Sequence, residues 1–282
     1  MDIAVLKAGV GARPLGMGGA FTSVADNADA PYWNPAGLGQ IKFHEINTMQ
    51  TKLSTDADHY YISYVQPLFG GAIGLSWVQI SLGDIYETGA ATDEYNEVFP
   101  FGVFSYYSNA YMLAYGQELL PNLSVGLTAK YLTVSMPGLS MEGGTAYGYS
   151  LTPGILWKPS DRLSLGFKID ELSNSQKWGT GTEEHVPAKY RFGLAYLAQI
   201  FGYPVRLSGD YSQIAKEGYI GEGAAGLELK TGVISLRLGL LDSAMTAGVG
   251  FQDKHVGLDY AYVNQLALSR ENVHRISLSG RW

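Results

Sequence analysis

The sequence predicts an all-β protein: a 14-stranded antiparallel transmembrane β-barrel over residues 41–282, with a small N-terminal plug over residues 1–40. Three observations predict it. Segments of about 9 to 11 residues with period-2 alternation recur along most of the chain, the length a tilted strand needs to cross the apolar layer of a membrane. Short turns and longer loops alternate between these segments. Only 16% of the residues are charged, against about 25% in an ordinary soluble domain, so part of the surface faces something other than water.

The first element is the stretch Gly11 to Gly37, rich in Gly and Ala and poor in charge. A closed barrel of this many strands needs something inside it, and this stretch is read as the plug. Gly16, Met17, Gly18, Gly19, Ala20 and Phe21 then pack closely against the wall, because glycines present no Cβ. Asn34-Pro35-Ala36-Gly37 reads as the turn that hands the plug to the first strand, with Pro fixing φ and Asn bonding to nearby backbone. A phosphate-binding reading of Gly9, Gly11, Gly16, Gly18 and Gly19 fails on context: Pro14 interrupts the run, no βαβ unit follows, and no Gly-Lys-Ser/Thr triplet is present.

The strands follow. Leu163, Leu165, Phe167 and Ile169 alternate with Ser164, Gly166, Lys168 and Asp170, and Val205, Leu207, Gly209 and Tyr211 with Arg206, Ser208, Asp210 and Ser212. The division recurs at Val256, Leu258, Tyr260 and Tyr262. Alternation alone fits a soluble sandwich with its core inside as well as a barrel with lipid outside. Loop lengths separate the two. Even-numbered segments lead into short turns, at Leu68-Phe69-Gly70, Glu118 to Asn122, Lys158 to Asp161, Ile200 to Tyr203, Thr231-Gly232 and Asp253-Lys254, whereas Ser81 to Gly102 and Glu171 to Ala188 are long. Short turns at one rim and long loops at the other is the outer-membrane arrangement, and it places both termini in the periplasm. Tyr60, Trp77, Tyr131, Trp157, Tyr190, Tyr211 and Tyr262 suit interfacial girdles; in a sandwich they would be core.

In the last segment Ile276, Leu278, Gly280 and the terminal Trp282 share a face. The pattern is similar to the C-terminal signal that the barrel assembly machinery recognises. Residues facing the other way along the strands form the candidate lumen: Lys130, Lys168, Asp170, Arg191, Arg206, Asp210, Glu228, Arg237, Asp259, Arg275 and Arg281. Both signs are present, so these groups either pair across the interior and hold the plug, or in part bind the head group of an amphipathic solute, with Arg the natural partner of a carboxylate.

Composition excludes several other classes. No apolar run reaches the 18 residues of a membrane-spanning helix; the best, Val233 to Phe251, is broken by Arg237 and Asp242. The absence of Cys removes disulfide frameworks, thiolate metal sites and Cys nucleophiles. The net charge of −7 argues against nucleic acid as a partner. The five His residues, at 44, 59, 185, 255 and 274, lack metal-ligand spacing, so neither metal nor cofactor is expected. Asp84, Glu87, Asp93, Glu94 and Glu97 in the loop Ser81 to Gly102 match no EF-hand spacing and read as a solvated loop. An outer-wall hydrolase built around His274, which falls on the lipid face, is the enzymatic alternative, although no Gly-x-Ser-x-Gly elbow is present. Met1 to Gly9 has none of the parts of a signal peptide, so the expectation is a mature chain whose precursor signal has been removed.

The run Leu6 to Leu38, with LGMGGAF at Leu15 to Phe21, Ala25-Asp26 and WNPAGL at Trp33 to Leu38, resembles the N-terminal segment of the FadL-type outer-membrane barrels. Within that superfamily it is most similar to the PorV/PorQ-like group. The FadL-type resemblance implies passive movement of hydrophobic or amphipathic small molecules, leaving past the plug or sideways through the wall, with outer-membrane lipid around the barrel. The PorV-like resemblance implies a different class, an accessory barrel that engages a larger protein of a type IX-like secretion system or its exported proteins.

Overall fold

The computed structural model describes residues 4–53, 56–92, 98–140, 143–242, 244–264 and 272–282. The chain begins with short helices α1 (Ala4–Lys7), α2 (Ala12–Gly16) and α3 (Ala30–Trp33) and a 3-10 turn over Pro35–Gln40. Strands follow: β1 (Glu45–Lys52), β2 (Asp58–Leu68), β3 (Gly71–Thr92), β4 (Val98–Leu120), β5 (Leu123–Ser135), β6 (Thr145–Ser160), β7 (Leu163–Asp170) and β8 (Ser173–Trp178). The second half holds β9 (Glu183–Glu184), β10 (Lys189–Ile200), β11 (Tyr203–Ile214), β12 (Glu222–Thr231), β13 (Ile234–Leu241), β14 (Ala244–Gln252), β15 (Val256–Val263) and β16 (Val273–Arg281).

All pairings are antiparallel, and fourteen of these strands close into a barrel. Each strand pairs with the next along the chain, β10 following β7; β1 pairs with β16, and β5 with β6, so the ring has no free edge. Closure satisfies every ladder hydrogen bond within the wall, which is what lets strands replace helices in a bilayer. Among the described residues no helix is long and apolar enough to cross a membrane. The seam between first and last strands runs Glu45 opposite Arg281 to Gln50 opposite Ile276.

Two stretches expected as loops are strand instead. Ser81 to Gly102 is largely a continuation of β3 and β4, paired as far as Thr92 opposite Val98, with a bulge between Leu82 and Ile85. Glu87 stabilises this extension: its carboxylate accepts from the Ser140 backbone N–H at 3.0 Å and the Ser140 hydroxyl at 2.5 Å. Asp93, Glu94 and Glu97 lie outside the described residues. Glu171 to Ala188 contains the β8–β9 hairpin, in which β8 carries on along β6 beyond β7. Its Asn174 bonds the carbonyls of Glu171 and Val186 and the Val186 N–H, which supplies locally the pairing that β10 does not offer. The first strand begins at Glu45 rather than residue 41, because Ile41 still belongs to the end of the 3-10 turn.

Burial is inverted relative to a soluble fold. Leu236, Leu238, Leu240, Val249, Phe251, Leu258, Ile276 and Leu278 are exposed on the outer wall, while Lys130, Lys168, Asp210, Glu228, Arg237 and Arg275 are buried. An apolar outer wall around a polar interior is the signature of a membrane barrel. The N-terminal residues supply much of the core: Val5, Val10, Leu15, Met17, Phe21, Trp33 and Leu38 share one hydrophobic cluster with inward-facing Met49, Tyr61, Val78, Ile80, Met112 and Leu132.

Candidate functional site

The candidate site is the barrel interior, shared between the N-terminal segment and the wall. The segment turns back on itself within it. Trp33 Nε1 donates to the Val10 carbonyl at 2.9 Å, Tyr32 OH to the Leu6 carbonyl at 2.5 Å, and Phe21 meets Trp33 edge-on at 6.2 Å between centroids. Asn34 organises the exit: its carbonyl oxygen accepts from the Ala36 N–H at 3.1 Å, while its amide donates to the Thr22 carbonyl at 2.8 Å and to Ile155 of the wall at 3.1 Å. Pro35 and Ala36 then press on wall glycines 116 and 126, and Gly37 on Ala25.

Close approach to backbone and a left-handed conformation together require glycine at Gly18. Gly18 has φ +65°, and a Cβ there would lie 2.4 Å from the Leu240 carbonyl oxygen. Gly16 meets Gly248 closely enough that a Cβ at either would lie 3.3 Å from the other's Cα, and Gly19, Ala20 and Met17 continue the buried run.

Charge fixes the segment to the far wall. Arg13 donates to both oxygens of Glu228, at 2.8 and 3.0 Å, and to Asp26 at 2.5 Å. Arg206 reaches Asp26 at 3.0 Å and Glu228 at 3.5 Å; Arg237 donates to Glu228 at 2.9 Å and to Asp259 at 2.6 Å. Three guanidinium groups thus meet three carboxylates, so burial leaves no net charge, and each carboxylate is held by charge-assisted bonds. Burial alone would raise the Asp26 carboxyl, but Arg13 and Arg206 hold it well below the carboxylate range. Asp210 serves the segment differently, accepting from the backbone N–H groups of Phe21 at 3.3 Å and Thr22 at 3.1 Å, with Arg191 at 4.0 Å.

A second cluster lies beside Tyr32. Lys130 pairs with Glu171 at 2.7 Å, and Lys168 with Asp170 at 2.9 Å and the Tyr32 carbonyl at 3.0 Å. Arg281 pairs with Glu45 at 3.2 Å. Asp29 accepts from the side-chain amides of Asn27 at 2.9 Å and Asn47 at 2.6 Å; burial raises its carboxyl to about 6 against these two hydrogen bonds.

Arg275 stands apart. It is 4% exposed, and among the described residues no carboxylate pairs with it. Its Nη1 donates to the Gly9 carbonyl at 3.3 Å and faces His59 Nδ1 at 3.4 Å; Arg275 Nε and His59 Nε2 have no partner. Sequence reasoning gave His59 no role. The alternation of β2, which turns His59, Tyr61, Ser63 and Val65 to one side, was the signal available.

On the outer wall, Ile276 and Leu278 are exposed, and the terminal Trp282 stacks on His44 at 5.8 Å and Tyr64 at 6.1 Å while exchanging two backbone hydrogen bonds with His44. His274 bonds the Tyr260 hydroxyl at 2.6 Å and lies against Tyr262. Among the described residues no group of three or more His, Asp or Glu is placed to hold a metal ion.

A fourteen-strand barrel holding a folded N-terminal segment has close structural counterparts. The Pseudomonas putida toluene transporter TodX superposes with a TM-score of 0.67 at 14% identity, over 100% of this chain and 99% of its own. The fold is that of the FadL-type barrels. The Ralstonia pickettii toluene transporter TbuX gives 0.66 at 13% identity, over 97% of this chain and 98% of its own. A Pseudomonas aeruginosa FadL homologue gives 0.59 at 13% over the same shares. No family model matches the chain, and no curated protein matches its sequence. FadL-type architecture therefore persists here in nearly full-length superposition at identities where the side chains are this chain's own.

Proposed function

We propose that the protein is a passive conduit for hydrophobic or amphipathic small molecules across the bacterial outer membrane. In this reading residues 1–40 are the plug, residues 41–282 the barrel, and both termini are periplasmic. The observation that carries it is the division of the interior. Met49, Tyr61, Val78, Ile80, Met112 and Leu132 of the wall form one hydrophobic cluster with Val5 and Val10 of the protein's own segment, and Arg275, bonded to the neighbouring Gly9 carbonyl, has no carboxylate paired to it among the described residues. Apolar wall residues that displacement of the segment would bare, beside a guanidinium with no carboxylate paired to it among the described residues, suit an amphipath with an anionic head. The toluene transporters of the same fold support the apolar part of this reading. No energy source is indicated and no step of passage needs a catalytic group; if His274→Ala left ester hydrolysis unchanged, the outer-wall hydrolase would be removed.

The test is flux into liposomes. Deleting residues 1–12 is expected to raise entry of an alkyl carboxylate and of toluene alike. Arg275→Met is expected to weaken carboxylate binding about 30-fold, the loss of one charged hydrogen bond of about 2 kcal/mol, and to leave toluene unaffected. No flux from either barrel sinks the conduit. The sequence motif LGMGGAF and WNPAGL supports a second reading, a PorV-like accessory of a secretion system, which predicts unchanged flux but a stable assembly with a much larger protein in mild detergent. Recognition by the barrel assembly machinery through Ile276, Leu278 and Trp282 belongs to both.

A further inference from the structure

The short-turn rim carries a feature for which a conduit has no use. Two of its hairpins close through two-residue turns, Phe69-Gly70 between paired Leu68 and Gly71, and Phe201-Gly202 between paired Ile200 and Tyr203. Both central residues of each turn have positive φ, 53° and 80° in the first and 50° and 82° in the second. Two such residues in a hairpin make the type I′ geometry, whose first position favours Asn, Asp or Gly and strains a bulky side chain. The chain follows that preference elsewhere: Asn122, Asp242 and Gly232 take the left-handed positions of their own turns. At Phe69 and Phe201 it does not, and the two rings are 84% and 96% exposed. The Tyr115 hydroxyl holds the Phe69 carbonyl at 3.0 Å, which fixes the turn and leaves the ring free.

The two turns stand on nearly opposite sides of the barrel, since four strands lie between them one way and six the other. Leu119, Leu120, Val233 and Trp282, at other points of the same rim, are also exposed. A protein docking from the periplasm would cover one sector. Apolar tips on opposite sides, with polar turns such as Asp253-Lys254 between them, match a surrounding that touches the whole barrel, and they continue the apolar outer wall downward.

We infer that the apolar tips of the short-turn rim reach into the inner leaflet, with Phe69 and Phe201 inserted in phospholipid at the boundary of head groups and acyl chains while polar turns such as Asp253-Lys254 stay in water. Lipid contact then offsets the cost of the strained backbone, and a side chain with no place in a I′ turn in water becomes the useful one. This rests on the membrane-barrel reading above.

The chain has no Cys, so single-Cys variants can be labelled cleanly. F69C, F201C, K254C at a polar turn of the same rim, and L236C on the outer wall are each labelled with an environment-sensitive fluorophore in phosphatidylcholine liposomes. Quenching is read with a lipid doxyl probe near the top of the acyl chain and with aqueous iodide. F69C and F201C are expected to be quenched several-fold more than K254C by the lipid probe and several-fold less by iodide. If they behave like K254C while L236C is lipid-quenched, the rim assignment is overturned and the membrane reading stands. If L236C also escapes the lipid probe, the membrane reading falls and takes the assignment with it. Shielding of F69C and F201C in native membranes but not in liposomes would mean that a protein, not lipid, covers them, and it too would overturn the assignment.

Discussion

Glu228 shows how much of the interior turns on one residue. It is 1% exposed and binds Arg13, Arg206 and Arg237, so Glu228→Gln leaves these three guanidinium groups sharing two carboxylates, Asp26 and Asp259. Breaking a buried pair by removing one partner costs about 3–5 kcal/mol. The variant is expected to unfold at lower denaturant and to expose the bond after Phe21, fully buried in the intact protein, to chymotrypsin. An unchanged midpoint with Phe21 still protected would show that hydrogen bonds to the backbone, not charge, hold the segment. Asp29 gives the pH dependence. Its carboxyl, raised by burial to about 6, ordinarily titrates near 3.9, so the folded state holds the proton more tightly. Its contribution is fully present below about pH 4 and is lost as pH rises through about 6. Asp26 has the opposite sign: held low by its guanidinium partners, it contributes above the ordinary carboxylate range and its contribution is lost as pH falls below it. Segment stability should therefore decline between about pH 4 and 7, and Asp29→Asn should flatten that decline; an equal slope in the variant would assign it to another group.

At the scale of elements, the barrel was legible because alternation survives in each strand: Leu163 to Asp170 and Val205 to Ser212 read as two-faced segments and are β7 and most of β11. The β8–β9 hairpin was not, since Ser173–Trp178 has no apolar face to alternate and owes its pairing to the edge that β6 presents. The tall β3–β4 hairpin was hidden in the same way, its acidic residues suggesting solvent where a ladder continues. The interior was legible only from the wall side. Arg206, Glu228, Arg237 and Asp259 lie on strands whose period gives them a direction, whereas Arg13 and Asp26 lie on a segment without a period, so no pattern could pair them. The tall hairpin offers a test of its own. Glu87→Ala removes both bonds to Ser140, worth about 1–3 kcal/mol together, and should speed amide exchange in the Tyr86–Val103 and Glu87–Gly102 pairs while leaving exchange in β13–β16 unchanged. Loss of protection throughout would mean that the hairpin nucleates the barrel.

For the whole molecule the open choice is whether a solute passes because the segment moves or finds a way out through the wall with the segment fixed. The interior can separate the two, because the segment touches the wall where neither side has a Cβ. Gly16 lies against Gly248, and a Cβ at either would be 3.3 Å from the other's Cα, which keeps the two Cα atoms within about 5 Å, at the short end of the range of about 4.4–6.8 Å that a disulfide spans. With no native Cys to compete, Gly16→Cys with Gly248→Cys gives a single bond that ties the segment down when oxidised and releases it when reduced. If the segment is the gate, oxidation should abolish flux of both toluene and an alkyl carboxylate into liposomes, and reductant should restore it in the same sample. If solutes leave sideways, flux should be the same in both redox states. A third result, oxidation blocking the carboxylate alone, would mean that only the anionic head must displace the Gly9 carbonyl from Arg275, while an uncharged solute slips past a segment that stays in place.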